Sequence, residues 1–259
     1  KNLDFLGNAF DGVQCPCIIL DLQYTHSDLT TLGMNVNTGN ESFTINTERK
    51  VSSEYFSFTT ADDEYNVLNK IKSISNAYFL LGNADFALGI VTGNNKAYIS
   101  DKKTDDNEMV LKGADIRKYH INPSANYIMF KPESFQQIAP IEMYRAREKL
   151  LYRFISNQLV FAYDDKQTLS LNSCNIIIPR IPGVKMKYVL AILNSRIAQF
   201  IYKKDFNSVK VLRSHIENIP IPAVDNSTQD EIITLTEKLI SGLEISEAEK
   251  LYDELDTLV

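Results

Sequence analysis

Thr92, Gly93, Asn94, Asn95 and Lys96 form a polar knot inside the apolar stretch GIVTGNNKAYI, Gly89–Ile99. Asparagine amides can hydrogen-bond base edges, and a lysine ammonium can neutralise a phosphate. The same five residues also suit a tight turn between antiparallel strands, because Gly and Asn tolerate positive φ. Lys102 and Lys103 follow closely. A denser cationic group comes later, at Arg145, Arg147, Lys149 and Arg153, and a third lies at Arg180, Lys203, Lys204, Lys210 and Arg213. For each of these the competing reading is an ordinary solvated charge.

Catalytic chemistry should leave its own residue patterns, and these are missing. The chain has no G-x-G-x-x-G, P-loop, H-E-x-x-H or G-x-S-x-G. His26, His120 and His215 stand far apart, and the pairs Asp105–Asp106 and Asp164–Asp165 read as turn formers. Cys15 and Cys17 would share a strand face, but only Cys174 remains elsewhere. A structural zinc site usually takes four Cys or His ligands, so buried cysteines are the expectation and a metal is not. Three cysteines are too few for a disulfide framework, which points to a reducing cytoplasm. No catalytic, cofactor or metal site is expected in this chain alone.

The charge distribution sharpens the cationic reading. The 259 residues carry a net −6. Residues 1–70 hold 4 basic and 10 acidic side chains, and residues 216–259 hold 2 and 11. Between them, residues 112–153 hold 8 and 4, and residues 180–215 hold 8 and 1. Two basic blocks inside an acidic frame fit a local surface facing a polyanion. Alternatively, the basic and acidic blocks pair with each other in the fold.

The elements that must position these residues follow from periodicity. Apolar spacing predicts a strand at Cys17–Leu22 and short strands around Phe43 and Ile45 and around Tyr55, Phe56 and Phe58, with a loop at LGMNVNTGNES between. Tyr65, Leu68, Ile71 and Ile74 behind an acidic first turn predict a helix over 62–74. From Phe79 to Pro222 strands and loops dominate, with helices predicted at AREKLLYRFI and, more strongly, across PGVKMKYVLAILNSRIAQFIYKKDF. Thr228 with Glu231 and Ser246 with Glu249 read as capping boxes of an αα-hairpin, with Gly242 as the break. No apolar run reaches the length of a membrane span, and no secretory signal opens the chain.

Several segments, in order over about residues 80–240, resemble one known family. LGIVTGNNKAYIS, LKGADIRKY with its G-x-D-I-x-x-Y pattern, the arginine-rich YRAREKLLYRFISNQLVFAYDD, LNSCNIIIP, YVLAILNSRIAQFIYKK and KVLRSHIENIPIP are similar to successive elements of the TaqI-like C-terminal specificity domain of restriction–modification enzymes. That domain is related to the recognition domains of type I specificity subunits. FLGNAFDGVQCPCIILDL is similar to the final strands of the adenine amino-methyltransferase domain that precedes it. INPSANY lacks the second proline and the spacing of that family's N-P-P-Y loop, so Asn122-Pro123 reads as a turn.

The resemblance implies an α+β chain with three parts: a methyltransferase remnant over 1–75, a strand-rich target-recognition domain over 76–225, and a helical hairpin over 226–259. It also implies double-stranded DNA as partner, through the cationic and amide residues named above. S-adenosylmethionine, adenine methylation and a possible fused nuclease would belong to the parent protein, together with the methyltransferase domain of the same chain. The alternative is an assembly module, or a subunit like those of type I systems, that holds a catalytic partner through the acidic hairpin.

Overall fold

The computed structural model describes residues 1–11, 16–24, 30–49, 58–206, 208–243 and 245–259. They divide into two compact units, Lys1–Ser73 and Ile74–Val259. Among the described residues no helix is long and apolar enough to cross a membrane.

In the first unit β1 (Asn2–Asn8), β2 (Pro16–Asp21), β3 (Asn35–Asn37) and β4 (Ser42–Thr44) form one sheet in the order β2-β1-β3-β4. Leu3, Met34, Val36 and Ile45 are buried, with Phe5, Phe43 and Phe58 packed against them. The Gly/Asn-rich stretch expected to be a loop therefore contains a strand: Val36 is buried and β3 pairs in parallel with β1. β2 lies at the edge of this sheet, and Ile18, Ile19 and Leu20 are 46%, 55% and 41% exposed. α1 spans Asp62–Lys72, two residues shorter than expected, and buries Tyr65 and Leu68. Asp62, Asp63 and Glu64 occupy its first turn, where the helix dipole favours carboxylates. Cys15, His26, Tyr55 and Phe56 fall outside the described residues.

The second unit is built on two four-stranded sheets. Its chain begins with β5 (Ala77–Tyr78), β6 (Ala84–Ala87), the one-turn helix α2 (Asn95–Tyr98), β7 (Ile99–Ser100), β8 (Glu108–Leu111) and β9 (Tyr127–Ile128). A second one-turn helix, α3 (Ile141–Tyr144), leads into β10 (Lys149–Arg153), β11 (Phe161–Asp164), β12 (Leu169–Ser170) and β13 (Cys174–Pro179). The first sheet is antiparallel with order β11-β10-β13-β6, and the second has order β12-β8-β9-β7. Ile90, Val110, Leu111, Ile128, Leu151, Ile176 and Ile178 meet in a common core that includes residues of both sheets.

AREKLLYRFI is not a helix. Its central residues are β10, hydrogen-bonded on one side to β11 and on the other to β13. Leu150, Leu151 and Tyr152 are all buried, so the strand has two apolar faces. Such a run loses the alternation that marks a half-exposed strand and passes for a helix segment.

The apolar flanks of the Thr92–Lys96 knot do not pair with each other as a hairpin would. Ile90 bridges Leu171, Val91 bridges Gln137, and Ile99 pairs with Ile128. The knot is instead a link into α2, with Gly93 at φ +79°.

Helices cover the first sheet. The single helix expected over 182–206 is two, α4 (Met186–Asn194) and α5 (Arg196–Asp205). Ser195 adopts an extended conformation, and its hydroxyl accepts from the Ala198 N–H, capping α5. The Asn194 side chain exchanges two hydrogen bonds with the Phe161 backbone, at 3.0 and 2.9 Å, tying α4 to β11. After α6 (Arg213–Glu217), β14 (Ile221–Pro222) pairs with β5, and α7 (Asn226–Ile240) and α8 (Ile245–Leu258) form the expected hairpin. The cap of α7 is Asp225, which accepts from Thr228 N–H at 2.8 Å, three residues earlier than the capping box predicts.

Candidate nucleic-acid interface

The G-x-D-I-x-x-Y element supplies scaffold rather than contact groups. Gly113 lies so close to the Ser173 carbonyl that a Cβ there would stand 2.5 Å from its oxygen. Asp115 accepts from the Lys112 N–H at 2.8 Å, and Ile116 is fully buried. Tyr119 holds φ +72° and joins β11 through bonds to Phe161 and from Tyr163. Arg153 donates twice to the Ile116 carbonyl, at 2.9 and 2.6 Å, so this cation fastens the element to the end of β10.

At the other end of β10, Lys149 is a correction to the sequence reading. It is 0% exposed and cannot meet a phosphate on the surface. Its ammonium donates to Asp164 at 2.5 Å and to the Tyr144 carbonyl at 2.8 Å. Burial lowers its pKa below the ordinary lysine value, while the Asp164 carboxylate pulls the other way. Asp164 also accepts from the Thr168 N–H at 2.9 Å and the Thr168 hydroxyl at 2.7 Å, so one buried pair locks the whole 164–168 turn. Within that turn Gln167 sits at φ +56°, a left-handed conformation costing a non-glycine residue of order 1–3 kcal/mol.

Arg145 forms a forked pair with Glu108, at 2.8 and 2.6 Å, and donates to the Gln167 carbonyl at 3.2 Å. Its guanidinium also lies 5.0 Å from the Phe130 ring. Arg147, two residues on, is exposed and has no partner among the described residues. Lys166 and Lys131, singletons that no clustering argument would select, are exposed beside the turn and beside Phe130.

The first knot divides in the same way. Thr92 is buried and its hydroxyl bonds the Asn95 amide oxygen at 2.6 Å, whereas the Asn94 and Lys96 side chains are exposed and unpaired among the described residues. Lys102 projects its ammonium freely, while Lys103 donates to the Thr104 carbonyl at 2.9 Å and to that of Asn107.

The remaining cations differ in their partners. Arg180 pairs with Asp85 at 3.0 Å, and Arg213 with Glu217 at 2.7 Å. Lys203 and Lys210 are exposed, and Lys204 is half-buried. Lys210 bridges Ile155, past the Arg153 end of β10. Three cations of the second basic block are answered by the acidic tail: Lys185 pairs with Asp230, Lys187 with Glu237, and Arg196 with Asp253 and Asp256. Arg145, Arg147 and Arg180 do line one open groove, but Asp85, Glu142, Glu148, Asp230 and Glu237 line it too. Exposed cations without a carboxylate partner among the described residues lie before β10, around the second sheet and, at Lys203 and Lys210, in the second basic block. Among the described residues no group of His, Cys, Asp and Glu is placed to hold a metal ion.

Residues 108–221 match the model of the TaqI-like C-terminal specificity domain. Among solved structures, the type IIL restriction-modification enzyme MmeI, in complex with DNA, is similar in fold over the whole of this chain, with a TM-score of 0.52 and 10% identity. The chain spans 42% of that enzyme. The type IIG restriction endonuclease BpuSI matches 76% of this chain and 33% of its own at 12% identity and a TM-score of 0.44. The HsdS subunit from Thermoanaerobacter tengcongensis matches 76% of this chain and 49% of its own at 11% identity and a TM-score of 0.40. No curated protein matches the sequence.

Proposed function

We propose that the Ile74–Val259 unit reads a duplex DNA sequence for a restriction–modification enzyme. The observation that carries this reading is the specificity-domain match over 108–221. The exposed Asn94, Lys96, Lys102, Arg147 and Lys166 on that unit support it, since amides can address base edges and cations phosphates. A methyltransferase that flips its target base reads only that base in its pocket, so a separate surface must read the remainder.

The first unit is read here as the closing strands of an adenine-specific methyltransferase domain of the same protein, acting in the cytoplasm. Among the described residues, those of the first unit do not fit S-adenosylmethionine. The sequence has no glycine-rich nucleotide loop, and the polar strand residues of the first unit are spent on one another: Asn35 donates to Asn2 at 3.2 Å, and Thr44 to Asn35 at 2.8 Å. Methyl transfer, and any strand cleavage, would belong to polypeptide outside these 259 residues.

The test is binding of the full-length protein to a randomised duplex library, followed by titration of the selected duplex at several salt concentrations. The expected result is one enriched sequence. With about four phosphates neutralised, the slope of log affinity against log salt should be roughly −3 to −4. Absence of enrichment, or salt-insensitive binding, would defeat the proposal.

A further inference from the structure

We infer that Gln167 is a base-reading residue of this domain, with its carboxamide addressed to a purine edge in the major groove. The inference rests on the DNA-reading function proposed above and names a position within it. Gln167 is exposed, yet the backbone holds it at φ +56°, where glycine or asparagine would be the easier choice.

The turn is rigid from below. Asp164 binds the Thr168 N–H and hydroxyl and the buried Lys149 ammonium. The Gln167 carbonyl is itself held by Arg145, whose guanidinium is fixed by its fork to Glu108. A side chain on so fixed a base meets the requirement for discrimination, which is a donor and an acceptor placed with little freedom to adapt. No side-chain hydrogen bond holds the Gln167 carboxamide among the described residues, whereas Asn95 has its amide oxygen occupied by Thr92. Lys166, exposed and unpaired beside it, would anchor the adjacent phosphate. A glutamine amide offers the acceptor–donor pair that matches adenine N6 and N7.

The experiment compares full-length wild-type protein with Gln167→Gly and Gln167→Asn on the randomised duplex library, with thermal melting as the control for folding. Glycine suits the left-handed backbone and should melt no lower than wild type. Discrimination at one base pair should fall by roughly 5- to 150-fold, the range of a good bidentate contact, and the other positions should stay as selective as before. Gln167→Asn, which keeps an amide on a shorter arm, should lose part of the same discrimination. Unchanged selectivity at every position in both variants, or an equal loss of affinity on all sequences, would overturn the inference. A wild-type protein that enriches no sequence would instead defeat the DNA-reading proposal, and this inference with it.

Discussion

Lys149 and Arg147 stand two positions apart in one basic cluster and have opposite fates. Arg147 reaches solvent, whereas Lys149 is shut inside with Asp164. Removing one member of a buried ion pair leaves an uncompensated charge and costs about 3–5 kcal/mol. Lys149→Ala is therefore expected to destabilise the second unit by that amount in urea denaturation, and Arg147→Ala to stay within about 0.5 kcal/mol of wild type. The sequence showed that cations gather here but not which of them is buried. That depends on where β10 begins: Lys149 is its first residue and is buried with the strand, while Arg147 lies before it. Asp164, expected with Asp165 to be a turn former, is instead the buried last residue of β11. Its carboxylate does hold the following turn through Thr168, but its ion-pair partner lies fifteen residues upstream, beyond any local pattern.

Among the elements, those with solvent on one face were legible. α1, the α7–α8 hairpin and the strand at Cys17 follow their periodic patterns within a few residues. Elements buried on two sides, or made by pairing distant segments, were not: β3 exists because β1 accepts it, and the turn before α2 has flanks that find separate partners. α4 and α5 were seen as one helix because their apolar stripe continues across Ser195, while the break is set by a hydroxyl cap that leaves the hydrophobic pattern intact. The G-x-D-I-x-x-Y element was noticed as a pattern, but its purpose is close approach of backbones. Gly113→Ala would drive a methyl group into the Ser173 carbonyl. Overpacking of that kind costs about 1–3 kcal/mol. For a unit of this size that corresponds to a fall of roughly 2–12 °C in melting temperature, measurable by calorimetry.

For the molecule as a whole, the contrast between basic middle and acidic tail has two meanings. Three of the eight cations in the 180–215 block, Lys185, Lys187 and Arg196, answer the tail. Exposed pairs like these contribute about 0–1 kcal/mol each. They neutralise the surface more than they hold it together. The cations before β10 and around the second sheet have fewer carboxylate partners and remain the better candidates for a polyanion. The first unit carries a different liability, because β2 sits at a sheet edge with its isoleucines and leucine open to water. Among the described residues such an edge is a template on which another copy can add strand by strand. The isolated 259-residue chain should therefore grow heavier with concentration in light scattering, whereas the full-length protein, whose further strands would cover the edge, should not. Ile19→Lys, which puts a charge on the edge, should keep that chain monodisperse.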